Sequence, residues 1–147
     1  MLGVNKFKII LCLIASFIVV SGNIACGKEG VITEVDTKGT LWHIVVKVSG
    51  EGTLWVGCSV YPSGRENSYE VDLDPIKLKG SGEVKFNIFP YFSVHRGELD
   101  FVVALWEDKI SLKECEKKYG KDSEKCKWAR DMGFQMEGRL DSEEGTY

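Results

Sequence analysis

Along most of the chain after residue 30, apolar and polar side chains alternate with a period of two, the spacing of half-buried β-strands. In residues 40–48, Trp42, Ile44, Val46 and Val48 fall on one face. In residues 53–61, Leu54, Val56, Cys58 and Val60 do the same, with Trp55 on the other face. The glycine-rich SGEG between the two runs tolerates a tight turn, so the pattern predicts a hairpin. The tetrapeptide GTLW occurs twice, at residues 39–42 and 52–55, and the likeness stops there, since HIVV follows one copy and VGCS the other. It reads as two strand starts after glycine turns, because a true repeat would extend over a longer unit.

Further strands are predicted over residues 31–36, 69–73, 76–79, 83–89, 98–106 and 132–140. Val84, Phe86 and Ile88 share a face, as do Leu99, Phe101, Val103 and Leu105. About seven short strands separated by glycine turns, without alternating helices, predict an all-β fold: an immunoglobulin-like antiparallel β-sandwich. The exception is a charged segment in which Leu112, Cys115, Tyr119 and Trp128 fit short helical turns. The domain plan is a sandwich over residues 31–140 that carries an insert over 108–130, before the last strand. An arm over 23–30 precedes it and a polar C-terminal tail over 141–147 follows.

At the N-terminus, Lys6 and Lys8 precede twelve uncharged, almost wholly apolar residues, Ile9 to Val20, and then SGNIACG. A membrane-spanning helix needs roughly twenty such residues, so this segment reads as a signal peptide over residues 1–22 and implies export. In NIAC, Ala25 before Cys26 resembles the end of a lipoprotein box, although Asn23 stands where that motif prefers Leu. A lipoprotein signal ending at residue 25, with Cys26 lipidated, is therefore the alternative. Of five cysteines, Cys12 lies inside the signal core. The other four, in an exported chain, point to disulfides. Cys115 and Cys126 bracket a Lys-rich stretch with little apolar surface and are the first pair; Cys26 with Cys58 is the second, unless lipidation of Cys26 leaves Cys58 buried and unpaired.

Composition narrows the function. The 147 residues are 44% hydrophobic and 28% charged, which suits one domain with a real core, and the net charge of −3 without a basic stripe excludes nucleic acid as a partner. Membrane contact is expected only through the signal segment or a lipid anchor. His43 and His95 belong to no nucleophile motif and GxSxG is absent, so no catalytic residue and no cofactor are assigned. Asp72 and Asp74 in VDLDP could pair around calcium, but i and i+2 carboxylates are common on exposed strands, and no metal site is assigned. Trp55, Trp106, Tyr61 and Tyr69 are the candidates for ligand or partner contact, Trp42 is assigned to the core, and Trp128 is placed to clamp the insert onto the sandwich.

The segments WVGCSVYPSG, EVDLDPIKLKGSGEVKFNIF, GELDFVVALWED and FQMEGRL resemble, in order, the CARDB-like and related immunoglobulin-like adhesion modules of prokaryotic cell-surface proteins. The likeness covers roughly residues 31–140. It implies a sandwich with an adhesive role and no chemistry of its own. The Cys-bracketed insert departs from the family, which has a shorter loop there, so a function resident in the insert would be private to this chain. The reading is an exported, non-catalytic protein with an interaction or structural role at the cell surface or envelope, its partner a surface protein or glycan. The alternatives are a small carbohydrate-binding protein using exposed Trp and Tyr, and a filament subunit assembled by strand donation.

Overall fold

A computed structural model describes residues 28–63, 70–94 and 98–147. The predicted signal segment, Cys26, Tyr69 and His95 lie outside the described residues. The elements are β1 (Gly30–Asp36), β2 (His43–Gly50), β3 (Thr53–Pro62), β4 (Val71–Asp72), β5 (Ile76–Lys79) and β6 (Gly82–Asn87). A short helix α1 (Phe89–Val94), β7 (Leu99–Ser111), α2 (Leu112–Tyr119), a 3-10 turn (Glu124–Cys126), α3 (Lys127–Met132) and β8 (Phe134–Thr146) follow. Every strand pair is antiparallel. One sheet has the order β1-β2-β6; the other runs β4-β3-β7-β8, with β5 also paired to β3. The fold is an immunoglobulin-like sandwich with a helical, disulfide-pinned insert before the last strand, as the alternation predicts.

The inward rows meet between the sheets. Ile32, Ile44, Val46, Val48, Val84 and Phe86 from one side pack with Leu54, Val56, Cys58, Val60, Phe101, Val103 and Leu105 from the other. Each such aliphatic side chain contributes about 1.5–3 kcal/mol of burial. The apolar periodicity of β3 and β7 is followed without exception, since Leu54, Val56, Cys58, Val60, Leu99, Phe101, Val103 and Leu105 are all buried.

The predicted β2–β3 hairpin is corrected. β2 pairs with β1 and β6, β3 pairs with β4, β5 and β7, and Glu51 and Gly52 carry the chain from one sheet to the other. A hairpin would place both apolar rows on the same side of one sheet. Crossing over sets them face to face, so each row buries the other. Gly52 has φ 76°, the left-handed region that glycine adopts at no steric cost. The crossover also needs a gap for Leu54, which is fully buried beneath the paired glycines Gly30 and Gly50.

Four boundaries also move. Trp42, expected on the β2 face, lies in the preceding turn at φ 64° and packs edge-on against Phe89 with ring centroids 5.3 Å apart. Its backbone is held there, because its N–H donates to the Tyr147 hydroxyl (2.6 Å) and its carbonyl accepts from Ile88 N–H (2.9 Å). The strand predicted over residues 69–73 is reduced to Val71–Asp72, while β7 runs on to Ser111, so the insert begins later than residue 108. Residues 141–146, read as part of a polar tail, belong to β8 and pair with Asp100–Leu105. Ladder hydrogen bonds come from the backbone, and an edge strand with a solvated face needs few apolar side chains.

The two sheets are tied along one side. An extra residue, Leu140, bulges β8 where Leu105 pairs with Asp141 and Trp106 with Arg139, and β1 has its own irregularity between Ile32 and Glu34. There the Asp141 carboxylate accepts from Ile32 N–H at 2.8 Å and satisfies a backbone donor of the other sheet.

A methyl group added at Gly50 would lie 2.6 Å from Leu54 Cδ1, 2.9 Å from the Glu29 carbonyl and 3.2 Å from Gly30 Cα. Gly50→Ala is therefore expected to destabilise the protein by about 1–3 kcal/mol in urea unfolding, as overpacking does. Glu51→Ala, one residue on and exposed, should stay within about 0.5 kcal/mol of the parent.

Candidate functional site

β7 and β8 are each thirteen residues long and outrun the sheet they belong to. β3 stops pairing with β7 at Trp55 opposite Trp106, whereas β7 and β8 continue as a two-stranded ribbon to Ser111 opposite Phe134. An isolated ribbon is marginal in water and needs cover. The insert supplies it. Ser111 caps α2 in a capping box: its hydroxyl accepts from Glu114 N–H (3.1 Å), while its own N–H donates to the Glu114 carboxylate (2.7 Å). Gly133, at φ 83°, ends α3 in the left-handed position typical of helix C-termini.

Cys115 and Cys126 form the predicted disulfide, with Cα atoms 5.9 Å apart. Both are fully buried with Ala129, and Ile110, Leu112 and Tyr119 pack around them as a second, small core. So few apolar residues could not order the insert alone, and closing a loop of this length contributes about 3 kcal/mol in the chain-entropy account. A disulfide here fits an oxidising, extracytoplasmic setting. Lys118 on α2 donates to Glu137 on β8 at 2.7 Å. Burial pushes the Glu137 carboxyl up, but hydrogen bonds from Lys118 and Tyr119, the Lys118 charge and the Gln135 amide outweigh it, and the net position is below the ordinary 4.5.

The pinned insert leans back over the outer face of the larger sheet. Trp128 of α3 meets Trp106 of β7 edge to face, with centroids 6.1 Å apart. Between insert and sheet lies a cleft of about 570 Å³, within the range typical of ligand sites. Ser59 of β3, Asp72 of β4 and Glu70 just before β4 form one wall; Glu124, Lys125, Lys127, Trp128 and Asp131 form the wall on the insert; Gln135 and Met136 also line it. The Ser59 hydroxyl donates to Asp72 at 2.5 Å. Gln135 is the one buried polar residue among those described; its amide N–H donates to Glu137 (3.2 Å), and its Oε1 is buried without a donor.

The residues singled out in the sequence are only partly brought together. Trp55 and Trp106 are cross-strand neighbours. The Trp55 ring is already faced by the ammonium groups of Lys109 at 4.9 Å and Lys77 at 5.9 Å. Tyr61 sits opposite Asp100, six positions from Trp55, which at roughly 3.3 Å per residue is about 20 Å. Gly57 and Ser59 occupy the outward positions between them, so the aromatics form no continuous row. Asp74 is exposed beyond β4 and does not line the cleft. Trp128, Asp131, Glu70 and Gln135 were not foreseen as contact residues. No local spacing announces them, because three separate segments converge only through the fold.

Cys58 is a free, buried thiol, and Cys26, its expected partner, lies outside the described residues. Its row points into the sandwich. Burial, with help from the Asp72 charge, pushes this thiol up to about 12, far from thiolate chemistry at neutral pH. The His43 ring donates from Nδ1 to the Leu41 carbonyl (2.8 Å) and takes no part in the cleft. Comparison with protein families, with curated proteins and with solved structures returns no match, so the site rests on this chain's own geometry.

Two outcomes are expected. Iodoacetamide at pH 8 should leave the Cys58 peptide unmodified in the native protein and alkylate it fully in 6 M guanidinium chloride, as read by peptide mass mapping. The Glu137 contribution to stability is present above the carboxyl's unfolded value of 4.5 and is lost as pH falls through its lower folded value. Glu137→Gln should accordingly lower the urea midpoint at pH 7, and the difference from the parent should shrink as the pH is taken below 4.5.

Proposed function

We propose that this chain is an exported, non-catalytic binding module of the cell surface or envelope, working through the insert and the cleft it makes with the outer sheet face. The carrying observation is the staple itself. A disulfide, a capping box and an ion pair hold a segment over a strand ribbon that the sandwich core does not need, and the result is a ligand-sized cleft. Rigid presentation of a loop cluster on a sandwich is how such folds bind, since preorganisation cuts the entropy lost on association.

Several features support the rest of the reading. The apolar N-terminal segment with its small-residue exit and the disulfide both point to export. The strand segments resemble CARDB-like adhesion modules. The non-catalytic part is supported by the Cys58 thiol, protonated to about pH 12, and by a His43 ring that faces a carbonyl outside the cleft.

Fractionation of the natural host tests this proposal. The mature protein, beginning between residues 23 and 26 and oxidised at Cys115 and Cys126, is expected outside the cytoplasm and retained by envelope preparations. The double variant Cys115→Ser, Cys126→Ser should keep the β-type circular dichroism of the sandwich and lose most of that retention. Full-length reduced protein in the cytoplasm, or retention indifferent to the insert, would overturn the proposal.

A further inference from the structure

The N-terminal arm joins the domain beside the insert. Lys28, two residues after Cys26, donates from its ammonium to the Glu107 carbonyl (2.8 Å) and pairs with Asp108 at 3.2 Å. Asp108 faces Glu137 across the β7–β8 ribbon, and Glu137 in turn accepts from Lys118 of α2. Two residues span at most about 7 Å of chain, so a group attached at Cys26 is tethered next to the insert. From there β1 carries the chain about 20 Å towards the opposite end, where Trp42 meets Tyr147.

Charge is divided between the same two ends. Residues 112–132 hold seven Lys or Arg against five Asp or Glu, in a chain whose net charge is −3. Of those seven cations, only Lys118 has an acidic ion-pair partner among the described residues. On α2 the buried Cys115 marks the inner face; Lys113 and Lys117 share the exposed one, four residues apart, and exposed Lys121 follows in the turn beyond. Like charges at that spacing weaken a helix, and Lys113 stands in the first turn, where the helix dipole disfavours a cation. An anionic surface laid against this face would offset both effects. The opposite end carries Asp36, Asp100, Glu143 and Glu144, which the same surface would repel.

We infer that the insert end of the domain lies on an anionic lipid surface, with the exposed lysines of α2 among the headgroups and the acidic end turned outward. The inference rests on the envelope reading above and names the partner of the insert. Lysines near such a surface are each attracted to it. A single acyl chain holds a protein only marginally, and a basic face beside the attachment point is the second signal that stable anchoring takes. Trp128, 37% exposed on α3, is of the residue type that settles at headgroup level. An acidic protein would also match the lysines, but the entry of the chain at this same end favours lipid.

The test is lysine footprinting of the mature protein purified from its host, with the neutral reagent N-hydroxysuccinimide acetate and peptide mass mapping. Vesicles of phosphatidylcholine alone are compared with vesicles of phosphatidylcholine and phosphatidylglycerol in equal parts. Lys113, Lys117 and Lys121 are expected to react at least fivefold more slowly on the phosphatidylglycerol vesicles, with Lys38 and Lys85 changed less than twofold. Added NaCl at 0.5 M should abolish the difference. Lys113→Gln with Lys117→Gln, both at exposed positions, should keep the circular dichroism of the parent and remove most of the protection at Lys121. Lys38→Gln with Lys85→Gln, an equal charge change away from the insert, should leave that protection within twofold. Equal reactivity of the α2 lysines on the two kinds of vesicle, protection of Lys38 and Lys85 as strong as theirs, or full protection of Lys121 in the Lys113, Lys117 variant would overturn the inference. If insert-dependent envelope retention persists alongside any of those results, the insert's partner is a protein or glycan and the binding-module reading stands.

Discussion

The whole arrangement depends on the length of one hairpin. β7 and β8 pair over more residues than the sandwich can cover, so their lower half completes the core while their upper half stands beyond it as a bare ribbon. A bare ribbon exposes both faces and does not persist alone. The helical insert is the answer to that exposure, and its own poverty in apolar residues is in turn answered by the disulfide. Removing any part of this chain of supports leaves the one before it uncovered. The cleft exists because the insert, in covering the ribbon, also overhangs the adjoining strands β3 and β4.

Below the ribbon, the sandwich is closed by contacts that differ in kind on its two sheets. Aliphatic rows meet at the centre, where burial alone sets the distance. At one side an acidic side chain of β8 satisfies a backbone donor of β1. At the crossover the absence of side chains on Gly30 and Gly50 lets Leu54 plug the end of the core. Hydrophobic pattern therefore explains why there are two sheets, while one carboxylate and two glycines explain how they meet.

How much of this was legible from residues alone varies with the range of the interaction. The alternation in β3, β6 and β7 identified inward rows correctly, because a period of two is local chemistry. The Cys115–Cys126 pair was legible because it spans a short, charged loop that needs a fastener. The contact residues were not. Trp55 and Trp106 looked exposed because their positions oppose the apolar rows, but lysines on β5 and β7 cover one and the insert covers the other. Asp72 attracted notice as a partner for Asp74, whereas it accepts from the Ser59 hydroxyl of β3 and shares the cleft with residues of the insert, far along the chain.

The two copies of GTLW divide what each level decides. The first ends with Leu41 71% exposed and Trp42 in a left-handed turn; the second starts β3, with Leu54 fully buried and Trp55 on the outer face. Composition, alternation, cysteine spacing and the apolar N-terminal segment determined the class, the stapled insert and the expectation of export, since each acts over a few neighbouring residues or through bulk character. Which sheet each strand joins, whether β8 ends at residue 140 or 146, and which side chains share the cleft were decided by tertiary structure. Those outcomes depend on which distant surfaces exclude water together, and four identical residues carry no record of that.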